Sequence, residues 1–501
     1  MSIEHVESRP GAYADSVTLM RVSADVRQSD GVQAALIAMA TELNVDLLRE
    51  MGFRPPADIE PNHLLIAVRA RDDSALSGAL SVVSAALAAR PAGGHGRADA
   101  AKAPRTTAAA VRASGPGLAL ISVPGQYAFG EAMDALDAGC HVMIFSDNVP
   151  VEQEIILKEI AAQRDLIVMG PDCGTAIVGG IGLGFSHTLA AGPVGVVAAS
   201  GTGAQQVLCL LDYAGLGVSA ALGVGGRDLS AAVGGRSARS ALAALDADPA
   251  TELIIVVSKP PGADVAAGLR EFAADLATPV QFALIAPGEP DLTTATETAL
   301  HALGRAVPAW PHWPGPVAEG KPKDGTAPGG VLRGLFAGGT LCDEAMVIAS
   351  ERLGPIRSNI PLRPDWRLAP RAPVLETAPT GHAMIDFGDD ELTAGRAHPM
   401  IDQSLRLERL AAEAADPGVT VVLLDVVLGH GAHPDPAADF GPAIAAARAG
   451  GVAVVVSLIG AASDPQGLAL QAAALQAAGA DVFASNAAAA RFACDLIEGG
   501  R

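Results

Sequence analysis

A strand, a small-residue turn and a helix pattern occur twice in this chain, and similar sequence follows each time. The first copy reads Val196-Val197-Ala198-Ala199-Ser200-Gly201-Thr202-Gly203, then an apolar helix pattern. The second reads Leu335-Phe336-Ala337-Gly338-Gly339-Thr340, then Leu341-Cys342-Asp343-Glu344-Ala345-Met346. After the first come Gly225-Gly226-Arg227-Asp228-Leu229-Ser230, Asp248-Pro249 and the apolar run from Leu253 to Val257. After the second come Gly388-Asp389-Asp390-Glu391-Leu392-Thr393, Asp416-Pro417 and the run from Val421 to Leu424. Such a duplication means two copies of one α/β unit. A glycine-rich turn between a buried strand and a helix presents bare N–H groups where the helix dipole favours an anion. Two such ends point to a protein that handles phosphate or carboxylate.

A chain of 501 residues divides into about three or four domains. Half of it is apolar, with 56 glycines, which suits helices packed closely on parallel sheets. Aromatic residues are only 3%, too few for base-stacking surfaces. The net charge of −21 argues further against nucleic acid or an anionic membrane as partner, while leaving small anions open. The five cysteines, Cys140, Cys173, Cys209, Cys342 and Cys494, are dispersed and form no C-x-x-C pair. That is reduced, cytosolic usage, and no metal site is expected. No apolar run reaches the ~18 residues of a membrane span. Met1 to Pro10 is charged and unlike a signal peptide, so the cytoplasm is the expected location.

Residues 1–92 read as a small α+β module: Ser16–Val26 β-rich, Gly31–Met51 a helix pattern, His63–Ala70 a strand and Ser74–Ala89 a helix. That order predicts a ferredoxin-like, ACT-like fold. Arg90–Thr107 reads as a linker. Residues 105–190 alternate strands with helices, and their polar turns fall at strand C-terminal ends, where open α/β sheets place ligands. These turns are Pro124-Gly125-Gln126, Ser146-Asp147-Asn148 and Gly170-Pro171-Asp172-Cys173-Gly174. The first copy occupies 191–305 and the second 331–501. Proline- and glycine-rich sequence from Val307 to Gly330 separates them.

Ser200-Gly201-Thr202-Gly203 has a capping hydroxyl and glycines that admit an anion to the backbone. It also reads as an ordinary tight turn. Between residues 382 and 406 lie His382, Asp386, Asp389, Asp390, Glu391, Arg396, His398, Asp402 and Arg406. This density is either a solvated acidic loop or a site in which Arg396 and Arg406 hold a carboxylate or phosphate. The strand Val419–Leu428 ends at Gly429-His430-Gly431-Ala432-His433-Pro434-Asp435-Pro436. The two histidines there suit proton transfer, a metal shared with Asp435, or a structural turn.

Three of these motifs, in order and spacing, resemble the α subunit of succinyl-CoA synthetase: Gly170-Pro171-Asp172-Cys173-Gly174, Ser200-Gly201-Thr202, and Gly223-Val224-Gly225-Gly226-Arg227-Asp228. Gly429 to Pro436 looks like the matching helix start of the β subunit's ligase domain. The stretches Phe336 to Cys342, Asp386 to Asp402 and Leu424 to Pro436 resemble the FdrA family more closely, and that likeness covers residues 15–500. The resemblance implies tandem Rossmann-/flavodoxin-like parallel-sheet domains after the ACT-like module. The domain at 105–190 would be a degenerate CoA-binding domain.

The resemblance also implies a function. FdrA proteins are usually named acyl-CoA synthetases, and the family is linked to oxamate carbamoyltransferase, which converts oxalurate and phosphate to oxamate and carbamoyl phosphate in allantoin degradation. The synthetase's nucleotide-type glycine loop and its ATP-grasp domain have no counterpart in this sequence. Its phosphohistidine segment is replaced by Pro287-Gly288-Glu289-Pro290. The favoured expectation is therefore a carbamoyltransferase subunit of a hetero-oligomer acting on small anionic substrates. The alternatives are an acyl-CoA synthetase-like ligase and a scaffold without chemistry. Phosphate or carbamoyl phosphate would lie between Ser200, Gly201, Thr202 and Gly203 on one side and Gly429 and Gly431 on the other, with Gly338, Gly339 and Thr340 as the duplicated turn. His430, His433 and Arg396 would be catalytic. Arg227, Asp228, Arg406, Asp172 and Cys173 would hold substrate. Pro124, Gly125, Gln126, Ser146 and Asn148 would line any CoA site.

Overall fold

Ser23 both donates to the carbonyl of Ile37 (2.9 Å) and accepts from its N–H (2.8 Å), and this clasp typifies the N-terminal unit. The computed structural model describes residues 2–88 apart from 13, 15 and 57, residue 104, and residues 106–316, 330–368, 380–393 and 396–499. It falls into two units, Met1–Ala103 with Asp390–Asp402, and Pro104–Asp389 with Gln403–Arg501. Most of the Arg90–Thr107 linker, and residues 317–329 of the Val307–Gly330 boundary, lie outside the described residues.

The first unit runs β1 (Ile3–Arg9), α1 (Ser16–Arg27), β2 (Val32–Met39), α2 (Glu42–Glu50), β3 (Leu64–Ala70) and α3 (Asp73–Ala88). Its antiparallel sheet has the order β1-β3-β2, as in ferredoxin-like folds. Two local expectations are corrected. Ser16–Val26 is helix, because Leu19, Val22 and Val26 recur at helical spacing and bury one face. Gly31–Met51 is a strand and then a helix, divided at Thr41, whose side chain caps α2 by accepting from Asn44 N (3.4 Å). Leu36, Ile37 and Ala38 are buried in succession, so β2 lacks the alternation that marks a strand with one solvated face.

The second unit begins with α4 (Thr107–Ser114) and a three-stranded parallel sheet. The sheet order is β4 (Leu118–Ile121), β5 (His141–Ile144), β6 (Val168–Met169), and its helices are α5 (Gly125–Asp137) and α6 (Val151–Gln163). A hairpin of β7 (Thr175–Val178) and β8 (Ile181–Gly184) leads into the first duplicated half. That half contains β9 (Ala191–Ala199), α7 (Gly201–Tyr213), β10 (Val218–Gly223), α8 (Arg236–Asp246), β11 (Leu253–Ser258), α9 (Ala263–Ala274), β12 (Val280–Leu284) and α10 (Leu292–Ala302). The second half follows β13 (His312–Trp313) with β14 (Val331–Phe336), α11 (Gly339–Leu353), β15 (Ala383–Asp386), β16 (Val419–Val427), β17 (Ala453–Ile459) and β18 (Asp481–Phe483).

The two large sheets repeat one topology. Parallel strands run β10-β9-β11-β12 in the first and β15-β14-β16-β17-β18 in the second, the flavodoxin-like 2-1-3-4 order. Equivalent hydrogen bonds recur where the second strand leaves each sheet: Val224 N to Ala198 O (2.7 Å) and Phe387 N to Phe336 O (2.8 Å). The first helix of each half, α7 and α11, is buried on nearly all sides. Such helices are core elements. Among the described residues no helix is long and apolar enough to cross a membrane.

Candidate functional site

The duplication brings its two first helices together start to start. Ser200 caps α7, accepting from Gly203 N (2.9 Å), and its hydroxyl donates to Thr340 Oγ1 of α11 (2.6 Å). The contact is reciprocal, because a Cβ on Gly338, the cap residue of α11, would lie 2.6–2.7 Å from Thr202 side-chain atoms. A Cβ on Gly203 would meet Thr340 Cγ2 at 3.0 Å and Val257 Cγ1 at 2.9 Å. Both positions need glycine because backbone and side chain meet there without spare room. Two helix N-termini therefore point into one small region.

The second start is built differently from the first. Gly338 offers no side-chain cap, so Asp425 on β16 does the work, accepting from Ala337 N (2.7 Å) and Gly338 N (2.9 Å). Arg406 pairs with Asp425 Oδ1 (2.7 Å) and also donates to Leu335 O (2.8 Å) and Gln403 Oε1 (3.0 Å). Burial pushes the Asp425 carboxyl up, while Arg406 and the two N–H donors pull it back. Arg406, expected to hold substrate, is 1% exposed and engaged by Asp425. It positions the α11 start through Asp425.

Charged groups surround that start. A Cβ on Gly339 would lie 2.7 Å from Asp386 Oδ2 and 3.5 Å from Lys259 Nζ. A Cβ on Gly226 would lie 3.6 Å from Asp172 Oδ2 and 3.9 Å from the same ammonium. Lys259 thus reaches between the Gly226 turn and the α11 start. Asp343, one helical turn beyond Gly339, shares its face of α11. Burial pushes Asp343 up to about 7 and Asp386 up to about 8, and the Lys259 charge opposes both shifts. Carboxyls tuned toward neutrality beside an ammonium suit proton transfer and anion binding. Lys259 and Asp343 are not among the expected site residues, and Asp386 is expected only as part of the dense 382–406 segment. The overlooked signal was position, since Lys259 directly follows β11 and Asp386 ends β15, at strand C-terminal ends.

The remaining expected residues are distributed as follows. Gly429 and Gly431 do not begin a helix, because the next one starts at Pro436 with Asp435 as its cap. They pack instead on the segment after β8: Gly429 beside Ser186 and His187, and Gly431 beside the Phe185 ring. The neighbour of Ser200 is thus Gly338–Thr340, where Gly429–Gly431 was expected. His430 is exposed and bonds Thr188 Oγ1 (3.0 Å), while His433 faces Asp439 (3.4 Å). Asp228 is fully buried against Lys158 (2.8 Å) and accepts from Ser237 N and Ala238 N at the α8 start, so it is structural rather than substrate-facing. Arg227 pairs with Glu154 (2.9 Å). Cys173, expected to hold substrate, is buried under Gly223, with its thiol pushed up to about 12 by burial.

Pro124-Gly125-Gln126 and Ser146-Asp147-Asn148 do come together. A Cβ on Gly125 would strike Asp147 O at 2.1 Å, and Ser146 donates to Val123 O. The dense 382–406 segment is divided. Asp390–Asp402, with exposed Arg396, belongs to the first unit, and His382 braces β14 in the second by accepting from Leu332 N (3.0 Å).

Two family models match the chain: "AllF, heavy metal-associated domain" over residues 1–104 and "CoA-ligase" over residues 335–496. The uncharacterized protein YahF of Escherichia coli (strain K12) is 36% identical over 455 residues, covering 85% of this chain and 84% of YahF. The chain belongs to the FdrA family. This FdrA-family chain is also similar to the α subunit of succinate–CoA ligase [ADP-forming] from Aquifex aeolicus (strain VF5), at 29% identity over 31% of the chain and 51% of that subunit. The malate–CoA ligase α subunit of Methylorubrum extorquens is 27% identical over 33% of the chain and 58% of its own length. The chain thus spans a little over half of each ligase α subunit. The FdrA-family module matched as heavy metal-associated holds no cysteine, the first being Cys140, and no cluster of metal-ligating side chains occurs among the described residues.

Proposed function

We propose that this FdrA-family chain is an acyl-CoA synthetase-like subunit of a hetero-oligomeric enzyme, holding a phosphate or acyl phosphate at the α7–α11 junction. The observation that carries this reading is the meeting of Ser200 with Thr340, which aims two helix N-termini at one region. Their dipoles add there, and first-turn N–H groups would stabilise charge on phosphoryl oxygens. If a thiolate attacks the carbonyl carbon of a bound acyl phosphate, the C–S bond forms, the C–O bond breaks and phosphate leaves into that field. The CoA-ligase match and the ligase α-subunit relatives support the class, and their naming as subunits supports a partner. CoA would approach along Pro124–Gln126 and Ser146–Asn148.

One observation favours a second reading, carbamoyl transfer. Pro287-Gly288-Glu289-Pro290 replaces a phosphohistidine segment, and the next histidine, His301, is exposed on the last turn of α10. A reaction that starts from a ready-made mixed anhydride such as carbamoyl phosphate needs no such histidine. The test is an assay of the native complex isolated through a tag on this chain. One tube holds ATP, CoA and succinate or malate, and another holds carbamoyl phosphate and oxamate. Thioester supports the ligase reading; oxalurate in its place supports the second.

A further inference from the structure

The junction is symmetric in its helices but not in what surrounds them. On the α7 side, the residues after β8 fill the space: Phe185 packs on Gly431, His430 N donates to Ser186 O (2.8 Å), and Gln205 Nε2 donates to Phe185 O (3.1 Å). On the α11 side, Lys259 and Asp386 flank Gly339. Asp343 is 7% exposed and has no hydrogen-bond partner among the described residues. Lys259 is the cation that acts on it, and the Asp386 carboxylate interacts with it in the opposite sense. Asp386 is 4% exposed; its Oδ1 accepts from Gly388 N (2.9 Å), which leaves Oδ2 beside Gly339.

We propose that the α11 start, Lys259, Asp343 and Asp386 form a binding site for a small oxyanion, carboxylate or phosphate, and that the site takes up a proton when the anion binds. The proposal rests on the reading above, since it names the half of the junction that holds the anion. Charge balance requires the proton. One ammonium and a helix start worth roughly half a charge face Asp343 and Asp386 before any ligand arrives, and Asp172 draws on the same ammonium from the Gly226 side. An added anion within about 4 Å would be repelled by both. Protonating one carboxyl removes that repulsion and turns an acceptor into an O–H donor for the ligand. Asp343 lacks an internal acceptor, so its O–H is available for this. Asp386 feels Lys259, Asp389 and Asp343, with Arg406 and Cys342 also in its field; Asp343 feels Lys259 and lies near Cys342. Burial already holds both carboxyls near neutrality, which keeps the proton accessible.

The test is titration calorimetry of the full chain with succinate and with inorganic phosphate, from about pH 6 to about pH 9, in buffers of different ionisation enthalpy. Succinate carries no titrating group above about pH 7, so any proton taken up with it is the protein's. The expected result is proton uptake on binding, with affinity falling as pH rises. Lys259→Met should weaken binding at least about tenfold. Asp343→Asn with Asp386→Asn should retain binding at high pH and abolish the uptake. The phosphate and succinate arms together show which oxyanion the site prefers. Binding without proton exchange, indifference to Lys259→Met, or no binding by a folded protein would each overturn the proposal. Proton-linked binding in a complex that makes no thioester would keep the site and remove the ligase reading. Thioester formation unaffected by Lys259→Met would do the reverse.

Discussion

Ser200 Oγ donates to Thr340 Oγ1 at 2.6 Å, joining the starts of two equivalent helices 140 residues apart. The bond closes the internal duplication on itself. Each half supplies one helix N-terminus, and the reciprocal fit of Gly338 against Thr202 completes the contact. A Ser200→Ala, Thr340→Val double-mutant cycle in urea tests it. Each single change should cost about 1 kcal/mol, through the lost cap or the orphaned hydroxyl, with a coupling of about 0.5–1.5 kcal/mol. Additive effects would show that the hydroxyls do not hold the helices together.

Glycine at the junction is predicted to be irreplaceable, whereas glycine elsewhere is not. Gly338→Ala drives a methyl into Thr202 and should destabilise by about 1–3 kcal/mol. Gly130→Ala, on the exposed face of α5 with no atom within 4 Å, should instead stabilise by about 0.5–1 kcal/mol. Equal effects in denaturation midpoints would contradict the close approach.

Arg406→Met should be among the most damaging single changes. It strands Asp425 in the core and loosens the Ala337–Gly338 turn that Asp425 holds. Loss of one partner of a buried pair typically costs about 3–5 kcal/mol. Arg396→Met, at an exposed side chain of the Asp390–Asp402 segment, should cost little. A small effect at Arg406 would mean the pair is not buried as described.

Stability should fall as pH rises through neutrality. Asp343 is pushed up to about 7, Asp386 to about 8 and, on α11, Glu344 to about 7, each mainly by burial. The folded chain therefore keeps protons that the unfolded chain releases near the ordinary carboxylate value of about 4. This contribution is complete below that value and is lost as pH climbs through about 7–8. Urea midpoints should be lower at about pH 8.5 than at about pH 5, and Asp386→Asn should flatten the difference. A flat or rising wild-type profile would contradict the burial of these groups.

The architecture of the second unit was legible because Ser200 and Gly338 follow apolar strands and precede helices, a pattern local enough to read twice. The N-terminal elements were harder. Val17, Val22 and Val26 make Ser16–Val26 look like a strand until Leu19, Val22 and Val26 are seen to line one helix face. Gly31–Met51 misled because β2 is buried on both faces. The pairing at the site could not be read from local pattern. Gly429-His430-Gly431 places two glycines after an apolar strand, as Gly338-Gly339 does, and only the fold shows that the latter meets Ser200. Lys259 and Asp386 share no motif; each lies at a strand end, and the two sheets bring them together.

If the paired helix starts form the reaction site of a CoA-ligase-type subunit, turnover depends on their close approach. The direct measurement is thioester formation by the native complex, wild type against a Thr202→Leu, Gly203→Leu variant confirmed to be folded. The wild type should give an acyl-CoA product and the variant none. Equal turnover by both would place the chemistry elsewhere and contradict that dependence.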